Sequence, residues 1–264
     1  MWFLEELHEI LCDLPLHRYS NLLIHANLGL SGVCGTDPLN PHGVFLDALQ
    51  NKVGNCSNFF IPAFTYSFAN RETFRPYSDS GLKAMGLVSQ EAWARGYSRT
   101  FDPMFSLLGF GETIHEFISK PAVNSSHGDG STFAKLVDAN TGLILVNVGC
   151  ATTLIHEFEY RFSVSYRFLK EFVGFCQEKP EESAQFMRWK AFVNNRNIPN
   201  SEADFSVLNR DLFSEPNTKR IKLGRGYLVH LDTDFLQAYL KTKLENNPWY
   251  LTRRGQLSGS WEND

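Results

Sequence analysis

GLILVNVG (residues 142–149) runs without a break into CATTLIHEFEYRF (150–162). The first piece predicts a strand buried on both faces, because a strand with one wet face would alternate apolar and polar residues. Two further aliphatic runs, NLLIH (21–25) and NFFIPAF (58–64), have the same character. Between them, DPLNPHGVFLDALQN (37–51) sets Val44, Phe45, Ala48 and Leu49 on one face of a helix behind a proline-rich start. Strand, helix, strand in this order is the unit of an α/β fold built on parallel strands. The second piece places His156 and Glu159 three residues apart just past a strand end, where such folds put their sites.

Residues 66–131 are rich in Gly, Ser, Pro and aromatics, with one helix predicted around GLVSQEAWARG (86–96). Polar EKPEESAQFMRWKAFVNNRNIPNSEADF (178–205) is expected to form a helical excursion or lid. Residues 206–250 then return to the body through an extended KRIKLGRGYLVHL (219–231) and a closing helix, DTDFLQAYLKTKLENN (232–247). Residues 1–252 are expected to form one domain, and 253–264 a frayed tail.

Bulk properties exclude several classes of function. With 264 residues and 43% hydrophobic content the chain can bury a large core. A net charge of -4, from 25 basic and 29 acidic residues without a long like-charge run, argues against a nucleic-acid partner. The N-terminus is apolar at helical spacing (Phe3, Leu4, Leu7, Ile10, Leu11, Leu14) but carries acids and no basic flank, which predicts an amphipathic helix and not a signal peptide. No apolar window is long enough to span a membrane. Cys12, Cys34, Cys56, Cys150 and Cys176 are irregularly spaced and lack a C-x-x-C pair, so neither a disulfide framework nor a zinc site is expected, and a cytoplasmic location fits.

Three readings of the His156–Glu159 pair are open on spacing alone. If a helix capped by Thr152 or Thr153 begins here, the two side chains share a face, and the carboxylate can orient an imidazole that accepts protons near neutral pH. They can equally be a surface or capping pair. Glu157, His156 and Glu159 can also chelate a metal for a hydrolase, although HEFE lacks the second His of a helical zinc site. HGDGSTFAKL (127–136) and HANLGLSGVCG (25–35) are glycine-rich turns that expose backbone N–H groups, and neither is a Walker A loop or a dinucleotide fingerprint. No G-x-S-x-G elbow is present, and Cys150 reads as a small buried hydrophobe.

Taken in order, LLIHANLGLSG, FFIPAFTYS, MGLVSQ, SRTFDPMFSLLGFG, HGDGSTFAKL and TGLILVNVGCATTLIHEFE resemble the aminoglycoside 3-N-acetyltransferase family over residues 20–170. KLGRGYLVHLDTDFLQAYL is similar to that family's closing segment. The most specific element is T-x-x-H-x-x-E, at Thr153, His156 and Glu159.

The resemblance implies a three-layer α/β/α acyltransferase with a central, mostly parallel sheet, using acetyl coenzyme A to acylate a small-molecule amine, with no metal. A homo-oligomer is compatible with it. It also implies that His156 is the general base, that Glu159 orients it and that Thr153 belongs to the same catalytic group. His25, Ser31, Gly32, Arg99, Thr100, Gly130 and Ser131 are the implied coenzyme positions, and Thr65, Tyr66, Arg75 and Asp102 the implied substrate positions. The family pattern R-S-x-H-P-x-x-S has Asp102 here in place of its histidine. Arg71 and Arg75 stand where an acidic stretch would receive a polycation, and with Arg95 and Arg99 they suit phosphates. The expected acceptor is therefore a nucleotide-linked amino sugar of a biosynthetic pathway, with an aminoglycoside as the alternative and a metal-dependent hydrolase or a non-catalytic binding module as rivals.

Overall fold

The computed structural model describes residues 2–32, 40–54, 57–78 and 81–258. Strands β1 (Asn21–Ala26), β2 (Asn58–Pro62), β3 (Thr73–Phe74), β4 (Ser98–Arg99), β5 (Leu107–Phe110), β6 (Gly142–Val146), β7 (Arg167–Cys176), β8 (Gln185–Asn194), β9 (Lys219–Leu223) and β10 (Gly226–Asp232) form two sheets. The seven-stranded sheet has the order β4-β5-β2-β1-β6-β10-β9. Its centre, β2-β1-β6, pairs in parallel, and both flanks join antiparallel, so five of the seven strands point the same way and only β5 and β10 run against them.

The three aliphatic runs fall on the three parallel strands, and their side chains alternate between two cores. Leu22, Ile24, Phe59, Ile61, Ile144 and Val146 pack on one side, against α1 (Trp2–Cys12), α2 (Pro41–Val53), α3 (Leu82–Met85) and α4 (Leu87–Ala94). Leu23, Phe60, Leu143 and Leu145 pack on the other, where Phe133 of α6 (Thr132–Asp138), Phe158 of α7 (Ile155–Arg161), Leu208 of α8 (Ser206–Leu212) and Leu236 of α9 (Thr233–Asn246) meet them. Short α5 (His115–Ile118) adds Phe117 to that layer. The result is the expected three-layer α/β/α arrangement. Asn40 caps α2 by accepting from His42 N and Gly43 N at 3.2 Å, with Pro41 preset for the first turn.

Residues 178–205 correct the expectation of a helical excursion. They carry β8, which pairs with β7 along ten residues, placing Phe172 opposite Trp189 and Gly174 opposite Met187. The period is two: Met187, Trp189 and Ala191 are buried, whereas Phe186, Arg188 and Lys190 are exposed. Inward residues of this hairpin join Phe68, Phe74, Phe101 and Met104 in a third core. Gly174 is required there, since a Cβ would stand 2.8 Å from the Phe68 ring. The polar EKPEES preceding the strand disguised it.

Residues 253–258 of the expected frayed tail form α10 (Arg253–Ser258), and 259–264 lie outside the described residues. Also outside are 33–39 of the glycine-rich exit loop, Cys34 and Cys56, and residues 79–80; Cys12, Cys150 and Cys176 are free thiols. No helix among the described residues is long and apolar enough to cross a membrane.

His230 of β10 lies in the sheet against the Tyr19 ring at 5.5 Å, and burial lowers its pKa to about 4. The unfolded chain takes up a proton on this residue at about pH 6.5, so folding stability falls as pH drops from there towards 4. The loss reaches about 3 kcal/mol. Urea unfolding across that range should fall less steeply for His230→Asn than for the parent; parallel curves would refute the assignment.

Candidate active site

Parallel strands β1, β2 and β6 end on one edge of the sheet, and a cavity of about 630 Å³ opens past their carboxyl ends. Ile24, His25, Asn27 and Gly29 line it from the β1 exit, and Ile61, Pro62 and Phe64 from β2. Met85 to Ser89 close one side, and Val148, Thr152, Thr153 and His156 come from the β6 exit, with His42 and Phe205 completing the wall.

The chain enters α7 through three-residue turns, with Ile155 N bonding Thr152 O at 3.0 Å and His156 N bonding Thr153 O at 3.1 Å. Leu154 occupies the cap position with no side-chain cap of its own, and the Thr152 hydroxyl, two residues earlier, accepts from Leu154 N at 3.5 Å. The Thr152 hydroxyl stands 3.4 Å from His25 Nε2, while Thr153 sits in the cavity wall. The β6 exit is shaped by α8: Asn209 Oδ1 accepts from Cys150 N at 2.7 Å.

Inside α7 the 3.6-residue period separates two carboxylates. His156 Nδ1 is 2.6 Å from Glu159 Oε2, which leaves Nε2 for the cavity. Glu159 is fully buried, and Tyr166 donates its hydroxyl to Oε1 at 2.8 Å. Arg167 Nε lies 2.7 Å from Oε2 as an ion pair, its N–H turned off the oxygen. Burial alone would raise the Glu159 pKa, but His156, Arg167 and the Tyr166 hydroxyl outweigh it and hold the carboxyl below its ordinary value. Glu157 points to the other face, accepting from Gly128 N at 2.9 Å and Arg161 Nε at 3.0 Å. The chelating cluster of the hydrolase reading is thus taken apart. Among the described residues no three His, Cys, Asp or Glu side chains are grouped to hold a metal ion.

His127 packs beside the pair, with its ring centroid 6.5 Å from that of His156. Burial, with His156 and Arg167 nearby, keeps its pKa well below the ordinary value, so it is neutral. Burial likewise lowers His25 to about 4 and depresses His42 against the opposing pull of Glu91.

Of the positions implied by the resemblance, the structure brings Thr153, His156, Glu159 and His25 to one place. The others lie outside the cavity lining. Ser31 Oγ accepts from Asn147 Nδ2 at 2.8 Å, and Gly32 (φ 78°) leaves room for the Arg225 side chain. Arg99 is buried and ties Ser106 Oγ (2.9 Å), Ser78 O (2.8 Å) and Ala63 O. Thr100 Oγ1 accepts from Leu107 N, Ser131 caps α6 through Ala134 N, and Gly130 turns the chain just before it at φ 81°. Thr65 bonds Ser67, Tyr66 is exposed, and Arg75 bonds Gln177. Asp102 is buried, and its Oδ1 accepts from Met104 N, Phe105 N and Ser126 Oγ; burial raises its pKa against those bonds. The residue in the family's histidine position therefore holds its own turn. His42, Phe205, Tyr166 and Arg167 went unnoticed in the sequence, where no spacing links them to His156, and the Met85–Ser89 wall was noted only as part of the matching segment MGLVSQ.

The sequence profile described as aminoglycoside 3-N-acetyltransferase matches residues 23–245. Several solved structures share the fold. One titled AAC-IIIb binary with CoASH is 18% identical with a TM-score of 0.74, covering 92% of this chain and 96% of its own. A mutant of aminoglycoside acetyltransferase AAC(3)-IVa in complex with a gentamicin is 17% identical with a TM-score of 0.69, over 94% and 88%. YokD protein from Bacillus subtilis is 14% identical with a TM-score of 0.71, over 93% and 100%. No curated protein sequence matches the chain.

Proposed function

This chain belongs to the aminoglycoside 3-N-acetyltransferase family, and from that premise we propose that it transfers the acetyl group of acetyl coenzyme A to an amine of an aminoglycoside. The observation that carries the reading is the His156 imidazole in the cavity wall, held through Nδ1 by a buried, ionised Glu159 at 2.6 Å.

The residues present suit the thioester end of the coenzyme. The cavity is of ligand size, its walls are largely apolar, and no Lys or Arg is among its described lining residues. When bound, acetyl coenzyme A supplies the acetyl group as an activated thioester. His156 would accept a proton at Nε2 from the amine as it adds to the carbonyl, Glu159 would stabilise the imidazolium through Nδ1, and the imidazolium would give that proton to the coenzyme A thiolate as the C–S bond breaks. Thr153, in the same wall, would donate its hydroxyl to the carbonyl oxygen as charge develops there.

A nucleotide-linked sugar, the acceptor expected from the arginines of the middle segment, loses its support. Arg95 is paired with Asp47 at 2.5 Å and Glu91 at 2.7 Å, Arg99 binds backbone oxygens, Arg75 bonds Gln177, and none of them lines the cavity. The alternative gains from the family description and from the AAC(3)-IVa complex with a gentamicin. Thiol release from acetyl coenzyme A, measured with aminoglycosides beside nucleotide-linked amino sugars, tests this. Release is expected with aminoglycosides; silence there together with turnover of a nucleotide-linked sugar would overturn the acceptor.

A further inference from the structure

His156 and Arg167 meet the same oxygen of Glu159, at 2.6 Å and 2.7 Å. One carboxylate therefore serves two cationic partners, one permanently charged and one charged only when protonated. Arg167 is the first residue of β7, its side chain is 8% exposed, and a bond from its Nη1 to Phe192 O at 3.3 Å fixes it to the neighbouring strand.

We propose that Arg167 is a positioning residue for the acetyl transfer: by sharing Glu159 Oε2 with His156 it opposes protonation of that imidazole and extends its use as a base to lower pH. The inference rests on the proposed role of His156. A guanidinium bound to the same oxygen draws off part of the negative charge that would otherwise favour the imidazolium, and it adds its own repulsion. Arg167 and Glu159 are shielded from water, so the first effect is not strongly screened.

The other groups packed against His156 bring little competing charge. Tyr166, just before β7, donates a hydrogen bond to Glu159 Oε1 without a charge. His127, from the turn before α6, and His25 across the cavity are held neutral by burial, and burial also lowers the pKa of His42 against the pull of Glu91. Phe205 contributes an aromatic ring at 6.4 Å. Glu157 and Arg161 neutralise each other on the opposite face of α7. Among the described residues, Glu159 and Arg167 are thus the charges that act on His156 from the elements against it.

The test is kcat/KM for acetyl transfer as a function of pH. In the parent, activity falls on the acidic side as the base becomes protonated. Arg167→Met should move that limb to higher pH by about one unit, tenfold in proton affinity, because Glu159 then favours the imidazolium unopposed. Arg167→Gln, whose amide can stand where Nε does without the charge, serves if the methionine variant is unstable, and the same displacement is required of it. Arg167→Lys restores a cation and should return most of the limb. A limb that stays in place in both neutral variants, even with lower kcat, would reduce Arg167 to a structural residue. A parent profile without an acidic limb would instead defeat the assignment of His156 as base.

Discussion

His156→Ala is expected to lower kcat/KM for acetyl transfer by roughly 10²–10⁴-fold, the usual contribution of a positioned base. The fold should survive, because Glu159 keeps its contacts with Tyr166 and Arg167 and the imidazole already borders the cavity. Lost stability should stay near ~1 kcal/mol, the net value of one hydrogen bond. Coenzyme A should still raise the melting temperature of the variant, since a ligand bound only by the folded state must do so. Turnover at the parent rate would remove His156 from the chemistry, whereas a variant that no longer folds would show the dyad to be chiefly structural.

A second substitution is expected to cost stability as well as rate. Glu159→Ala strands the Arg167 guanidinium and the Tyr166 hydroxyl in a buried site and removes the anchor of His156. Removing one partner of a buried ion pair costs about 3–5 kcal/mol, which for a chain of this length lowers the melting temperature by about 10 °C. Activity should fall as well, since the imidazolium loses its counter-charge. Glu159→Gln keeps the volume and an acceptor for Tyr166, so it should lose less stability than alanine while still losing rate. The carboxylate's contribution is complete above the pH at which an unfolded glutamate ionises, about 4.3, and is lost as pH falls through its depressed folded value. Calorimetry at pH 7 checks the cost; an alanine variant as stable as the parent would mean that the charges are solvated after all.

Much of the fold was legible because its driving pattern is local. Three aliphatic runs, each able to bury both faces, can be satisfied only inside a covered parallel sheet, and the helix between the first two announces the crossover. Family resemblance then picked His156 and Glu159 out of three open readings, and their 2.6 Å contact follows from helical spacing once α7 forms. The β7–β8 hairpin was illegible for a different reason. Its inward residues Met187, Trp189 and Ala191 are separated by the charged Arg188 and Lys190, which also fit a helix, and only pairing with β7 selects the period of two.

The implied site positions divide along the same line. His25 and Thr153 reach the cavity because each lies at or just beyond the end of a central strand. Arg99 ends strand β4 and Thr100, Asp102 and Ser131 lie in the loops beside the sheet, where nearby backbone groups consume their side chains, a fate set by local geometry and not by residue type. Arg99 shows the difference most plainly, as a cation that suits phosphate by chemistry and is spent on three oxygens of its own chain.

By itself, the sequence determined the parallel strands, the covered sheet and the helical pairing of His156 with Glu159, since each depends on side chains within one segment. Tertiary structure alone decided which charges surround that pair. Tyr166 and Arg167 arrive at the start of β7, His127 arrives from the turn before α6, and Glu157 is turned away to Gly128. Electrostatic environment depends on distances between segments, and no periodicity within a segment encodes those distances.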